Sequence, residues 1–91
     1  MVVSPSGEAD VHTVPTLRQA IDHARRDGRS RVIVDLDQLT FMDASALRVL
    51  VEARLEVSST GGVFQVTCDN NPYCLRLLTI TGLEGLLDPS G

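Results

Sequence analysis

The sequence predicts an α/β domain with a mixed sheet of about four strands, parallel at its centre, and three or four helices. A run of β-branched residues at positions 32–34 is typical of a strand that is covered on both faces. Apolar residues recur at helical spacing before and after this run. A further strand-like segment at residues 63–68 follows the second helical segment. Strands that alternate with helices indicate parallel strands joined by crossovers, and the expected order is β-β-α-β-α-β-α.

The amino-terminal third predicts a hairpin and then a helix. The hairpin strands would be Val2-Val3 and residues 8–11, with a turn at residues 4–7. Thr13 and Pro15 suit a helix start, because threonine caps helices and proline needs no hydrogen-bonded N–H in the first turn. The helix is expected to end at Gly28, a residue type that favours carboxy-terminal caps. Its apolar residues, at helical spacing, are Leu17, Ala20, Ile21 and Ala24.

Two more helices are predicted in the second half of the chain. Residues 36–40 are expected to be a connection. The second helix is expected from Asp43 or Ala44 to Val57. Its apolar stripe comprises Leu47, Leu50, Val51 and Leu55, and its solvated face comprises Arg48, Glu52 and Glu56. The third helix is expected over residues 73–80, after a proline-containing capping turn. Leu83, Leu86 and Leu87 then reach the core or begin a short last element.

The composition argues against several classes of function. The chain has 91 residues and a net charge of −4, so DNA or RNA binding is not expected. Cys68 and Cys74 have no zinc-like spacing to His12 or His23, and we expect two reduced thiols rather than a metal site or a disulfide. No apolar run approaches the roughly 20 residues of a membrane span, so a soluble cytoplasmic protein is expected.

Enzyme signatures are mostly absent. The chain contains no Walker A motif, no dinucleotide-binding glycine pattern and no nucleophile-elbow motif. Ser45 would belong to a catalytic triad only if one of the histidines met it in space. Asp35, Asp37 and Asp43 can be imagined as a metal cluster, but helix caps and turns explain them with fewer assumptions. We therefore expect no enzyme activity, no cofactor and no metal.

Ser45 occupies a chemically suggestive position, where a buried strand is expected to lead into the second helix. The N–H groups of a helix start and the helix dipole favour negative charge. In one interpretation Asp43 caps the helix and Ser45 is an ordinary first-turn residue. In the other, Ser45 is exposed and accepts a phosphate from a partner kinase. Local chemistry leaves both interpretations open.

Five segments, in order along nearly the whole chain, resemble the STAS domain family, and specifically its stand-alone anti-sigma factor antagonists. Gly7-Glu8-Ala9-Asp10 resembles the family's Gly-x-Leu-Asp element, and residues 32–36 resemble its Val-Val-Val-Asp-Leu strand. Residues 39–47 resemble its signature around Asp-Ser-Ser-Gly-Leu. Gly61-Gly62 precedes the next strand, as glycine does in the family, and Thr81-Gly82-Leu83 matches its Thr-Gly-Leu. The resemblance implies a single STAS domain over residues 1–91.

The resemblance also implies a set of functional residues. The family's phosphoacceptor falls on Ser45, the serine before it on Ala44, and its glycine on Ala46, which is a departure from the pattern. The residues expected to bind a partner are Asp10, Asp43, Ala44, Ser45, Ala46, Leu47 and Arg48. Of these, Asp10 resembles an aspartate near the bound kinase, and a plain turn residue is the alternative interpretation.

The function implied by the resemblance is that of an anti-sigma factor antagonist. The unphosphorylated form would bind an anti-sigma factor, an ATP-binding serine kinase, and thereby release a sigma factor. Phosphorylation of Ser45 would end binding, and a phosphatase would restore it. We expect a monomer or weak dimer, without direct contact to nucleic acid or membrane. The alternative is a STAS partner or scaffold subunit of another system, such as a lipid-transport ATPase, a stressosome or an anion transporter fragment.

Overall fold

The computed structural model describes residues 1–26 and 31–89, which contain five strands, three α-helices and one 3₁₀-helix. The strands are β1 (Val2–Val3), β2 (Gly7–Ala9), β3 (Arg31–Asp35), β4 (Leu39–Met42) and β5 (Val63–Thr67). The α-helices are α1 (Val14–Arg26), α2 (Ala44–Ser59) and α3 (Pro72–Ile80), and the 3₁₀-helix is Glu84–Leu87. The predicted α/β class is confirmed. Gly28, the expected end of the first helix, lies outside the described residues.

The strands form two small sheets, where one mixed sheet was expected. One sheet has the order β1-β3-β5, and the other pairs β2 with β4. Every strand pair within the described residues is parallel. In the larger sheet Val32 lies opposite Phe64 and Val34 opposite Val66, and these four side chains are fully buried. Val32 and Val34 of the β-branched run therefore lie in the core, whereas Ile33 is half-buried, so one face of the strand is covered less completely than predicted.

The predicted amino-terminal hairpin is wrong. β1 pairs with β3 and β2 pairs with β4, so the two strands enter different sheets. Residues 4–6 connect the two sheets, and Gly7 redirects the chain with a φ of 74°, a value that glycine adopts without strain. Two-residue and three-residue strands gain little from pairing with each other, so contact with longer strands decides their partners.

Strand β4 replaces part of the expected connection at residues 36–40. Asn71 explains why this segment is ordered: its side-chain amide donates to the carbonyl oxygens of Leu36 at 2.8 Å and Leu39 at 2.9 Å. Asn71 also caps α3 by accepting from the N–H of Cys74 at 3.2 Å, and only 7% of its surface is exposed. One buried amide therefore joins the β3–β4 turn to the start of α3.

Helix α2 packs on the core through a face that differs from the predicted stripe. Leu47 and Leu50 are buried and Val51 is half-buried, but Leu55 is 67% exposed. The buried side chains of α2 are Ala46, Leu47, Val49, Leu50, Ala53 and Val57. Because four of the six are Ala or Val rather than Leu, the leucine pattern predicted the wrong edge of the buried face.

Glu56 of α2 joins α1 to α2, instead of facing solvent alone as expected. Its carboxylate accepts from Arg18 at 2.6 Å and from Arg25 at 2.7 Å. The hydrogen bond from Arg18 and the positive charges of both arginines lower the pKa of Glu56. Two cations therefore neutralise an acid that lies near the carboxy-terminal end of a helix, where negative charge is unfavourable.

The remaining core residues agree with the sequence analysis. Cys68 and Cys74 are free, buried thiols. Burial raises the pKa of both, that of Cys74 to about 11, so they stay protonated at neutral pH. Leu86 is buried, and Leu83 and Leu87 pack against the core from the short last element. Among the described residues, no helix is both long and apolar enough to cross a membrane.

Candidate functional site

The candidate site lies where β2 and β4 end. The two strands are parallel, with Ala9 opposite Met42, so the residues that follow them, Asp10 and Asp43, emerge at the same edge. The backbone N–H of Asp43 donates to the carbonyl of Ala9 at 3.1 Å. Two acidic residues are thus brought to one edge, where α2 begins at Ala44.

Asp43 caps α2. Its backbone is extended, with φ −108° and ψ −175°, and one carboxylate oxygen accepts from the N–H groups of Ser45 at 2.9 Å and Ala46 at 3.2 Å. The same oxygen, Oδ1, accepts from the hydroxyl of Ser45 at 2.5 Å. The capping interpretation of Asp43 is therefore correct, and it also fixes the direction in which the hydroxyl proton of Ser45 points.

Hydrogen bonding keeps the Asp43 carboxylate charged. The hydroxyl of Ser45 is the largest cause of its lowered pKa, and the backbone N–H groups of Ala46, Ser45 and Val11 lower it further. These donors outweigh a partial desolvation, which acts in the opposite direction. Within the described residues, Asp43 has no ion-pair partner. The negative charge of Asp43 is thus stabilised by neutral hydrogen-bond donors alone.

Ser45 is half-buried and its hydroxyl is hydrogen-bonded to a carboxylate. Neither histidine is hydrogen-bonded to Ser45 in the described part of the chain, so the structure does not assemble a catalytic triad. Because its proton is directed at Asp43, the hydroxyl oxygen keeps its lone pairs for other contacts. The arrangement suits a hydroxyl that accepts a group from a partner.

Asp10 caps the turn that leads into α1. Its carboxylate accepts from the N–H groups of His12 at 2.9 Å and Thr13 at 3.1 Å, while Thr13 Oγ1 accepts from the Asp10 N–H at 2.9 Å. Partial desolvation raises the pKa of Asp10, but these hydrogen bonds outweigh it and the pKa is lowered overall. Asp10 therefore has a structural role, and it also adds a second negative charge beside α2.

Asp35 and Asp37 are turn residues. The Asp35 carboxylate accepts from the N–H of Asp37 at 3.0 Å, and the Asp37 carboxylate accepts from the N–H of Asn70 at 3.0 Å. Among the residues that the structure describes, no group of three acidic, histidine or cysteine side chains is placed to hold a metal ion. The three aspartates of the imagined cluster have separate local roles.

The predicted partner-binding residues divide into two groups. Ala44 and Arg48 are exposed, and Asp10, Asp43 and Ser45 are half-buried at the surface. In contrast, Ala46 is fully buried and Leu47 is 8% exposed, so their side chains belong to the core. These two side chains therefore present little surface to a partner, and their place among the partner-binding residues stays a prediction.

Tyr73 is a site residue that the sequence predicted only as part of the third helix. Its hydroxyl accepts from the N–H of Met42 at 3.3 Å and donates to the Met42 carbonyl at 3.4 Å. It therefore occupies the backbone groups of β4 directly before Asp43. The signal available in the sequence was weak: tyrosine places a polar group at the end of an apolar ring, but nothing indicates which backbone it reaches.

Comparison with known proteins places this geometry in a family. The model of the STAS domain family matches residues 1–89. The chain belongs to the STAS domain family. An anti-sigma F factor antagonist from Paenibacillus polymyxa is 37% identical over 84 residues, covering 91% of this chain and 71% of the relative. An anti-sigma-B factor antagonist from Staphylococcus aureus (strain NCTC 8325 / PS 47) is 30% identical and covers 93% of this chain and 78% of the relative.

A solved structure agrees with this assignment. The crystal structure of an anti-sigma factor antagonist from Mycobacterium paratuberculosis superposes with a TM-score of 0.81 at 31% identity. The match covers 94% of this STAS domain and 72% of the solved chain. The predicted family is thereby confirmed.

The departure at Ala46 has a clear location in this STAS domain. Its methyl group is fully buried on the core side of α2, while Ser45 stands at the surface. The extra carbon therefore does not obstruct an approach to the hydroxyl from solvent.

Proposed function

We propose that this STAS domain is an anti-sigma factor antagonist controlled by phosphorylation of Ser45. In its unphosphorylated form it binds an anti-sigma factor, an ATP-binding serine kinase, and thereby releases a sigma factor. The observation that carries the proposal is the hydroxyl of Ser45, which lies at the surface beside the capping carboxylate of Asp43. Relatives that share the family and at least 30% identity are named as antagonists of anti-sigma factors.

The phosphoryl transfer is chemically simple. The oxygen of Ser45 attacks the γ-phosphorus of ATP, the bond from that phosphorus to the ADP oxygen breaks, and the hydroxyl proton leaves. Catalysis depends on positioning and charge stabilisation, which a kinase supplies. The substrate's contribution is orientation: the bond to Asp43 fixes the hydroxyl and leaves its lone pairs available.

A phosphate on Ser45 would meet N–H donors that are already occupied. A phosphate on Ser45 brings about −1.5 to −2 charges at neutral pH. The N–H groups of the helix start were expected to be free to receive this charge, but those of Ser45 and Ala46 already donate to Asp43. Phosphorylation also removes the hydroxyl proton that Asp43 accepts. The two anions therefore compete for the same donors, and the surface around Asp43 changes in charge and position.

Loss of binding follows from this competition. No arginine pairs with Asp43 in the described residues, so a phosphate on Ser45 adds to a negative charge that no ion pair balances. Burying two adjacent anions in an interface costs more than burying one, because each loses its hydration. A phosphatase restores the hydroxyl and, with it, the capping geometry.

The test is a capture experiment with three forms of the protein. We expect wild type and Ser45→Ala to retain an ATP-binding anti-sigma factor from extracts of the source cells, identified by mass spectrometry, and Ser45→Asp to lose it. Adding ATP to the captured complex adds one phosphate to wild type and none to Ser45→Ala. The matched control is Ser59→Asp, which adds the same charge on the same helix about 21 Å away.

Two outcomes would contradict the proposal. If Ser45→Asp retains the anti-sigma factor as wild type does, charge at this position is not the switch. If wild type captures a transporter ATPase and Ser45 stays unmodified, the domain serves another STAS system. Circular dichroism of each variant separates lost binding from lost folding.

A further inference from the structure

Three large exposed apolar side chains lie on segments that adjoin the start of α2. Val11 is 65% exposed, Phe41 is 43% exposed and Tyr73 is 44% exposed. We call these three residues the apolar rim. An exposed apolar cluster beside polar groups is typical of a protein-binding surface, whereas single exposed apolar residues are ordinary.

Each rim residue lies on a segment that is adjacent to the start of α2 in the chain or hydrogen-bonded beside it. Val11 lies two residues after Ala9, whose carbonyl accepts from the N–H of Asp43 at 3.1 Å. Phe41 is two residues before Asp43 on β4, and the hydroxyl of Tyr73 is hydrogen-bonded to Met42, which lies between them. The rim therefore comes from three separate segments that converge on one junction.

The charges at this junction indicate the chemistry of the partner. Glu8 is exposed and lies opposite Phe41 in the β2–β4 pair, and Asp10 and Asp43 follow the same two strands. Arg48 is the one exposed arginine among the residues predicted to bind the partner. The surface is thus apolar with a negative border, which is complementary to an apolar pocket bordered by arginine or lysine.

We propose that the apolar rim supplies most of the affinity for the anti-sigma factor, by inserting into an apolar pocket of the partner with a basic border. The inference rests on the proposed function. Aromatic side chains buried at the centre of an interface typically dominate its binding energy. In this arrangement the rim provides affinity. Whether Ser45 carries a hydroxyl or a phosphate determines how costly it is to bury the charged groups beside it in the interface. The Tyr73 hydroxyl occupies the N–H and carbonyl of Met42, so an added partner strand cannot pair there.

The test measures the affinity of single variants for the anti-sigma factor identified by capture, using isothermal titration calorimetry. We expect Val11→Ser, Phe41→Ser and Tyr73→Ser each to weaken binding by about tenfold or more. Tyr73→Phe keeps the ring and should bind within about threefold of wild type. Leu55→Ser and Ile80→Ser are matched controls, because these side chains are 67% and 70% exposed elsewhere on α2 and α3, and they should bind as wild type does.

The outcomes separate this inference from the proposed function. If the rim variants bind as wild type does while Ser45→Asp still loses the partner, the proposed function stands and the rim proposal is wrong. If wild type binds no anti-sigma factor, both fail. If the rim variants change only self-association in size-exclusion chromatography, the rim binds a second copy and the proposal is overturned. Val11 and Phe41 make no side-chain hydrogen bond, so at least these two variants should fold, and thermal melts check this.

Discussion

Helices α2 and α3 begin in similar ways but in opposite surroundings. Each is preceded by a strand or its following turn, and each is capped by a side chain of the same shape, Asp43 for α2 and Asn71 for α3. Asn71 is buried and neutral, and both hydrogens of its amide are donated to backbone carbonyls. Asp43 is charged, half-exposed and bonded to a hydroxyl. A buried neutral cap stabilises the fold, whereas a charged cap at the surface can respond to a new charge.

The largest effect is expected from Asn71→Asp. The substitution replaces a two-hydrogen donor with an oxygen that faces the carbonyls of Leu36 and Leu39. An uncompensated buried charge typically costs about 3–5 kcal/mol, and we expect this loss in urea unfolding at neutral pH. Burial raises the pKa of the new carboxyl in the folded state, so the loss should shrink as the pH falls and the acid becomes a donor.

The reverse exchange, Asp43→Asn, is the matched control for this first prediction. Asparagine caps helices as well as aspartate does, so the free energy of unfolding should change little. If both exchanges cost the same at neutral pH, the contrast between a buried and an exposed cap is wrong.

A smaller effect is expected from Asp43→Ala, which removes the cap completely. The N–H groups of Ser45 and Ala46 then lose their acceptor, and the melting temperature should fall by roughly 4–8 °C. Thermal melts followed by circular dichroism measure this. A melting temperature equal to that of wild type would mean that water replaces the carboxylate without cost, and the cap would then serve only to position the hydroxyl of Ser45.

Local features of both helix starts were predictable from sequence. The cap joins residues at most three positions apart, namely Asp43 with Ser45 and Ala46, so a short stretch of sequence contains the whole pattern. The same holds for the proline-containing turn before α3. The β-branched run of β3 also predicted a strand, because β-branched residues favour strands and the signal lies in consecutive residues.

Contacts between distant residues were not predictable in the same way. The Tyr73 hydroxyl reaches Met42 across 31 residues, and the Asn71 amide reaches Leu36 across 35. Nothing in either neighbourhood specifies the partner. The pairing of β2 with β4 is another such case, because a short strand pairs with whichever strand the rest of the fold places beside it.

The burial of Ala46 was also not predictable from the sequence. Its position in the signature suggested a surface residue beside Ser45, but a helix turns by about 100° per residue, so neighbours in sequence face different directions. The exact rotation of α2 decides that Ser45 is at the surface and Ala46 in the core. That rotation is determined by packing. The leucine pattern alone predicted it wrongly, because it placed Leu55 on the buried face.

The smallest effect concerns the charge of Asp43 itself. Because its pKa lies below the ordinary value of 3.8, the carboxylate stabilises the fold above that pH, and this contribution is lost as the pH falls through the folded-state pKa. The hydroxyl of Ser45 is the largest cause of the lowering, so in Ser45→Ala the pKa of Asp43 should rise toward 3.8. Carboxyl carbon shifts recorded by NMR from about pH 2 to pH 6 measure it. The pKa of Asp10, which is lowered by Thr13 and His12, should stay the same in the variant. If Asp43 titrates at the same pH in both proteins, the hydroxyl does not hold the carboxylate in its charged form, and only the N–H groups of Ser45 and Ala46 are left for phosphate and Asp43 to compete for.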